Sequence, residues 1–183
     1  ACCAIRWDLL RLRSPDHEFQ EGRTGRRETK PKRIILIGRS MAGKTTLCQY
    51  IRHEDLKYHK TQTVQVINGN MIDTPGEYLE RTYLRGALTV TAVDADVIVL
   101  VQQANEGGTM FPPGYSSTFA KPCIGVVTKS DLADDRQIED AKKYLVAAGA
   151  KKVFVTSSYE GTGFEALLEY LTEQDWSLEG TAE

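Results

Sequence analysis

Apolar residues come in short blocks separated by polar, glycine-bearing turns, and the blocks alternate between two periods. Continuous runs at 34–37, 96–102 and 123–128 have the length and β-branched content of strands covered on both faces. Shorter strand patterns at 64–67 and 71–72 flank Asn68-Gly69-Asn70, a strong hairpin signal, and a last strand is expected at 153–156. Helical spacing appears at 44–52, 80–93, 134–148 and 164–172, the third of these closed by Gly149. Residues 53–60 are polar and loop-like. Residues 106–117 hold Gly107, Gly108, Pro112, Pro113 and Gly114 and read as a long surface loop. Strands alternating with helices predict an α/β fold with three α/β/α layers. Its sheet should be mostly parallel, with one antiparallel hairpin strand. Ligands of such sheets bind beyond the carboxyl ends of the strands.

Composition adds boundaries. Residues 1–31 are rich in Arg, carry Pro15, Gly22, Gly25 and Pro31, and show helical spacing only at Ile5, Leu9 and Leu12. They read as a poorly ordered extension, with a short docking or targeting helix and basic linker as the alternative, leaving 32–176 as one domain and 177–183 as a polar tail. With 183 residues, 41% of them hydrophobic, the chain suffices for one domain with a sizeable core. A net charge of −2 gives no electrostatic case for nucleic acid or an anionic membrane. No apolar run approaches the ~18 residues that span a bilayer. Cys2, Cys3, Cys48 and Cys123 include no C-x-x-C pair, so a reducing cytoplasm is the expected compartment.

The chemistry concentrates where the first strand ends. Gly38, Arg39, Ser40, Met41, Ala42, Gly43, Lys44 and Thr45 fit G-x-x-x-x-G-K-[ST] without a mismatch, and Thr46 follows. The pattern arises by chance in roughly 1% of chains this long, and here it lies between a predicted strand and a predicted helix. Such a phosphate loop wraps its amides around an anion at a helix N-terminus. Lys44 is then placed against the β- and γ-phosphates, with the Thr45 hydroxyl on Mg²⁺. Asp73-Thr74-Pro75-Gly76 leaves another strand. Its carboxylate suits Mg²⁺ and its Gly N–H suits the γ-phosphate, although D-T-P-G also makes a plain turn. Thr128-Lys129-Ser130-Asp131 sits where a base-reading segment belongs. The Asp131 carboxylate suits guanine and the Lys129 stem suits the ring, while Ser130 or Asp131 would equally cap a helix.

In order, these segments resemble the signature of small Ras-like and Era-like GTPases, and more closely the EutP/PduV family of ethanolamine and propanediol utilisation. The wording behind this is Lys60-Thr61-Gln62, Ile72-Asp73-Thr74-Pro75-Gly76-Glu77-Tyr78 and Gln102-Gln103-Ala104-Asn105. The resemblance covers roughly 32–174. It implies a P-loop NTPase fold, with Thr61 as the switch threonine on Mg²⁺ and γ-phosphate, and with Ser157 and Ser158 approaching the base. It places Glu77 where efficient hydrolases carry a water-orienting Gln, so hydrolysis should be slow. Thr128 stands where Asn is usual, and a hydroxyl replaces only part of that side chain's network.

The implied cofactors are Mg²⁺ and GTP, with ATP open. The implied setting is a cytoplasmic bacterial microcompartment, with shell or enzyme proteins as partners. Three activities remain open at this point: triphosphate hydrolysis in a switch, phosphoryl transfer from ATP to a small carboxylate such as acetate, and nucleotide binding without turnover. Oligomeric state is likewise open.

Overall fold

Strand residues of the chain divide by parity, and that division builds the layers. The computed structural model describes residues 33–51, 65–67 and 71–173. Expectations placed on 1–31, Thr61, Asn68-Gly69-Asn70 and 177–183 lie outside these residues.

The described strands are β1 Ile34–Ile37, β2 Gln65–Ile67, β3 Met71–Asp73, β4 Val97–Gln103, β5 Cys123–Thr128 and β6 Val153–Val155, in the sheet order β2-β3-β1-β4-β5-β6. Every neighbouring pair is parallel except β2 and β3, which are antiparallel with Val66 opposite Ile72.

Successive side chains of a strand point to opposite faces. Ile35, Ile37, Ile98, Leu100 and Val127 therefore enter one core cluster, and Ile34, Leu36, Val97, Val99, Val101, Ile124 and Val126 the other. Helices α1 Lys44–Ile51 and α5 Phe164–Glu173 cover the second face through Leu47, Cys48, Phe164 and Leu167. Helices α2 Glu77–Glu80, α3 Arg85–Ala92 and α4 Asp135–Ala147 cover the first through Leu79, Leu88, Ala92, Ala141 and Leu145. Within β5, Gly125 lets α4 approach closely, because a Cβ there would meet the Leu145 side chain at 3.0 Å. Buried Cys48 and Cys123 behave as small hydrophobes, and burial pushes the Cys123 thiol up to about 12.

Two elements differ from expectation. The helix expected over 80–93 is broken: α2 ends at Glu80, Arg81 is extended (φ −99°, ψ 117°), and a 3₁₀ turn at Thr82–Leu84 leads into α3. The reason is geometric. Leu79 and Leu88 both belong to one buried cluster, yet positions nine apart on a continuous helix point about 180° away from each other. The break lets both face inward, and the Arg85 Nε donates to the Leu79 carbonyl that the break exposes (3.0 Å).

The supposed surface loop at 106–117 is instead anchored in the core. Phe111, Tyr115 and Phe119 are buried, with successive ring centroids 5.6 and 5.3 Å apart. The amides of Gly114 and Ser116 donate to Ala147 and Ala148 (both 2.8 Å), satisfying carbonyls at the end of α4.

Parallel strands place their carboxyl ends at one edge of the sheet. Residues 38–43 follow β1 there, 74–76 follow β3, 104–106 follow β4, 129–131 follow β5 and 156–158 follow β6. Among the described residues, the motifs read from the sequence are gathered at that edge.

Candidate functional site

Glycine at both ends shapes the loop between β1 and α1. A Cβ on Gly38 would lie 2.4 Å from the Val101 carbonyl oxygen, so only glycine lets the loop start this close to β4. Gly43 has φ +89°, and Met41, 67% exposed, holds a left-handed φ of 64° that costs a non-glycine residue about 1 kcal/mol. The Gly43 carbonyl then accepts from Leu47 N–H (2.8 Å), which starts α1.

Lys44 opens that helix and turns its side chain back into the loop. It is 5% exposed, and its Nζ donates to the carbonyls of Gly38 (2.8 Å) and Arg39 (2.7 Å). Burial lowers its pKa to about 8, against the pull of Asp73 and Glu80 toward the charged form. An ammonium carries three donors, and two are directed at carbonyls.

The adjacent Thr45 Oγ1 donates to Asp73 Oδ2 at 2.8 Å, and Asp73 is fully buried at the end of β3. A hydroxyl and a carboxylate in contact are hard oxygen donors of the type Mg²⁺ takes, so this part of the expected metal set fits the ion. Thr61, the third expected ligand, lies outside the described residues. Gly76 packs directly on the loop: a Cβ there would fall 2.0 Å from Ser40 N and 2.4 Å from Ser40 Cα. The turn from β3 and the phosphate loop therefore form one surface. Glu77 opens α2 and pairs with Arg81 at 4.0 Å, an exposed ion pair on the helix's own surface.

Glu80, which the sequence reading did not single out, reaches the loop instead. Its Oε1 accepts the Ser40 amide at 2.8 Å and lies 3.8 Å from Arg39 Nε. The Arg39 guanidinium is held on its other side by Glu106, which also accepts from Gln102 Nε2 (2.9 Å). The signal in the sequence was an acid four residues beyond Gly76, one helical turn away.

At the other end, Thr128 closes β5 and its Oγ1 donates to the Ala42 carbonyl at 2.6 Å, so the hydroxyl keeps the tie to the phosphate loop. Lys129 has φ 57° and donates from Nζ to Gln103 Oε1 (2.9 Å). Its pKa is lowered, chiefly by burial. Ser157 is fully buried and donates to Asp131 Oδ1 (2.5 Å), fixing the carboxylate from behind. Ser130 and Asp131 fall in a short 3₁₀ turn, and the cap of α4 is Asp134, in a capping box with Gln137.

A cavity of about 370 Å³ joins the two ends, lined by Gly43, Thr46, Thr128, Lys129, Asp131, Leu132, Ser158 and Tyr159. Leu132 and Tyr159 are the walls that sequence reasoning missed, and Tyr159 is 88% exposed.

Residues 31–173 match the PduV-EutP family model, described as ethanolamine utilisation – propanediol utilisation. The chain is 46% identical over 146 residues to the propanediol utilization protein PduV of Citrobacter freundii, covering 80% of this chain and 97% of that protein. It is 32% identical over 155 residues to the probable acetate kinase EutP of Escherichia coli strain K12, covering 82% and 97%. Among solved structures, the translation elongation factor SelB of Methanococcus maripaludis, in complex with the GTP analogue GppNHp, matches with a TM-score of 0.59 at 21% identity. That match covers 78% of this chain but only 33% of the elongation factor, and it bears on the fold. The architecture is thus the three-layer P-loop NTPase fold, and the chain belongs to the EutP/PduV family of ethanolamine and propanediol utilisation proteins.

Proposed function

We propose that the protein binds a nucleoside triphosphate, GTP in preference to ATP, and slowly hydrolyses its terminal phosphate as a conformational switch. The observation that carries this reading is a continuous cavity between the phosphate loop at Gly43 and Thr46 and the carboxylate of Asp131. A triphosphate fits the loop end, and Asp131, held by Ser157, offers its carboxylate to the donor edge of guanine. The Lys129 stem and the Tyr159 ring flank the base, with Ser158 beside it. Thr45 and Asp73 would hold Mg²⁺, with Thr61 as the expected third ligand. The ion's contribution when bound is to neutralise charge on the phosphate oxygens.

The chain's own residues do the rest. The Lys44 ammonium, already desolvated, adds positive charge beside the β- and γ-phosphates, where low dielectric makes it count most. Gly76 offers its N–H to the terminal phosphate, and Glu77 replaces the neutral amide that would orient water, which accounts for slow turnover. Water attacks the γ-phosphorus, the bond to the β–γ bridging oxygen breaks, and nucleoside diphosphate, inorganic phosphate and a proton leave.

The second reading is phosphoryl transfer from ATP to a small carboxylate such as acetate. Glu77 in place of glutamine supports it, as does the name of the E. coli relative, a probable acetate kinase. In either reading residues 32–176 form the nucleotide-binding domain, residues 1–31 an extension and 177–183 a tail. The proposed setting is the bacterial cytoplasm beside an aldehyde-processing microcompartment of ethanolamine or propanediol utilisation, with shell or enzyme proteins as partners.

Competition binding of GTP against ATP, with wild type and Asp131→Asn, tests the base. The wild type should prefer GTP, and the variant should lose GTP and gain xanthine nucleotides. Equal wild-type affinity for ATP overturns the guanine assignment. Single-turnover reactions with and without acetate test the acceptor. Phosphate release independent of acetate and abolished by Lys44→Ala supports hydrolysis, whereas acetyl phosphate formation supports the second reading. Binding with no turnover in either assay leaves a nucleotide-binding scaffold.

A further inference from the structure

The amides of a phosphate loop attract anions, and in this chain one of them already holds an anion of the protein's own. Glu80 Oε1 accepts from Ser40 N–H at 2.8 Å and lies 3.8 Å from Arg39 Nε. A hydrogen bond to a carboxylate is stronger than one to a neutral acceptor. The carboxylate also draws Lys44 toward its charged form, so it lies within the field meant for phosphate. It comes from α2, one turn after Gly76, and Gly76 is seated on the same Ser40 amide with no room for a Cβ. Glu80 therefore stands at the side of the loop where Gly76 would meet a terminal phosphate.

Resting on the nucleotide-binding reading, we propose that Glu80 is a specificity-determining residue that occupies the loop's terminal anion seat and sets the preference between nucleoside diphosphate and triphosphate. A diphosphate filling the loop from Lys44 to Thr46 leaves the Ser40–Glu80 bond in place. A terminal phosphate brings dianionic charge beside the carboxylate, and like charges in a partly desolvated site repel strongly. Glu80 must then withdraw. The path is short, because its side chain is 29% exposed and α2 is a four-residue helix cut off from α3 at Arg81. Its departure also frees one face of Arg39, whose guanidinium remains tethered by Glu106. Triphosphate is thereby sensed as displacement of α2.

The test uses the full chain with Mg²⁺ and two fluorescent probes, methylanthraniloyl-GDP and the non-hydrolysable methylanthraniloyl-GppNHp. Glu80→Gln keeps an acceptor for Ser40 without the charge, and Glu80→Ala removes both. Each variant should raise triphosphate affinity relative to diphosphate about tenfold, within the usual scale of a coupling free energy between two distinct binding events. The same tri- to diphosphate ratio in all three proteins overturns the proposal, as does a selective loss of triphosphate in Glu80→Gln.

Amide hydrogen exchange supplies a second readout that stands even if a variant folds poorly. In the wild type, the triphosphate probe should speed exchange in 77–80 and the diphosphate probe should not. Equal protection with both overturns the inference. A wild type that binds neither these probes nor their adenine counterparts overturns the nucleotide reading itself, a result distinct from binding without discrimination.

Discussion

Thr128 shows how one hydroxyl can carry half of a larger side chain's work. Its Oγ1 reaches the Ala42 carbonyl at 2.6 Å in a buried position, so the segment proposed to read the base stays tied to the phosphate loop without the usual asparagine. Thr128→Val keeps the shape and removes the donor, leaving a buried carbonyl unsatisfied at a cost of about 1–3 kcal/mol. Urea unfolding of the two proteins should show that loss. Gly76 is constrained by contact, not by φ. Gly76→Ala drives a methyl into the Ser40 backbone, and the displaced loop should lose measurable nucleotide binding and about 2 kcal/mol of stability. Tyr159 is the opposite case. At 88% exposed it contributes little to folding, so Tyr159→Ala should keep the wild-type melting curve. The lost base–aromatic stacking should weaken GTP by about 1–3 kcal/mol and leave inorganic tripolyphosphate unaffected. Equal weakening of both ligands, read by competition, would place Tyr159 outside the base site.

At the scale of elements, legibility followed how local each signal is. The strands β1 and β5 and the helix α4 stood out because runs, caps and stop residues lie within a few positions of one another. Gly149 marks the end of α4 in sequence and does so in space, whereas the helix is capped at its start by Asp134 with Gln137 and not by Ser130 or Asp131, the caps the sequence offered. The break at Arg81 was hidden because an apolar stripe averaged over 80–93 looks helical. Only the nine-residue step from Leu79 to Leu88 betrays it. The aromatic anchor at 111, 115 and 119 was masked by surrounding prolines and glycines, whose turn signals dominated. A four-residue repeat of rings was there to be read. Tyr115 sits between the other two rings, and the turn it begins caps α4. Tyr115→Ala should cost about 3 kcal/mol by the usual penalty for emptying an aromatic core position. Thermal denaturation reads that loss. A surface loop would have shown almost none.

For the molecule as a whole, most of the candidate site was legible because the motifs that line it are contiguous. Glu80 was not, since its contact with Ser40 spans 40 positions and depends on how α2 is set against the loop. The same long-range assembly buries Lys44 and makes it a probe of the entire site. Its folded pKa is about 8, below the ordinary 10.5, because burial penalises the ammonium. Between these values the unfolded chain binds more protons than the folded one, so stability must rise with pH across that window. The full shift is worth about 3 kcal/mol at most. Lys129, whose pKa is also lowered, adds a slope of the same sign. The Lys44 part is therefore read as the difference between wild type and Lys44→Met. In nucleotide-free, metal-free buffer, urea unfolding from pH 7.5 to 9.5 should show the wild type gaining on the variant as pH rises. Nucleotide reverses the sign: phosphate favours the ammonium, so affinity should fall above pH 8 in the wild type and stay flatter in the variant. Two opposite slopes from one amine follow only if Lys44 is both buried in the empty loop and aimed at the phosphates. A flat difference in the empty protein would mean that water reaches the amine, and a flat affinity profile would mean that the phosphates do not.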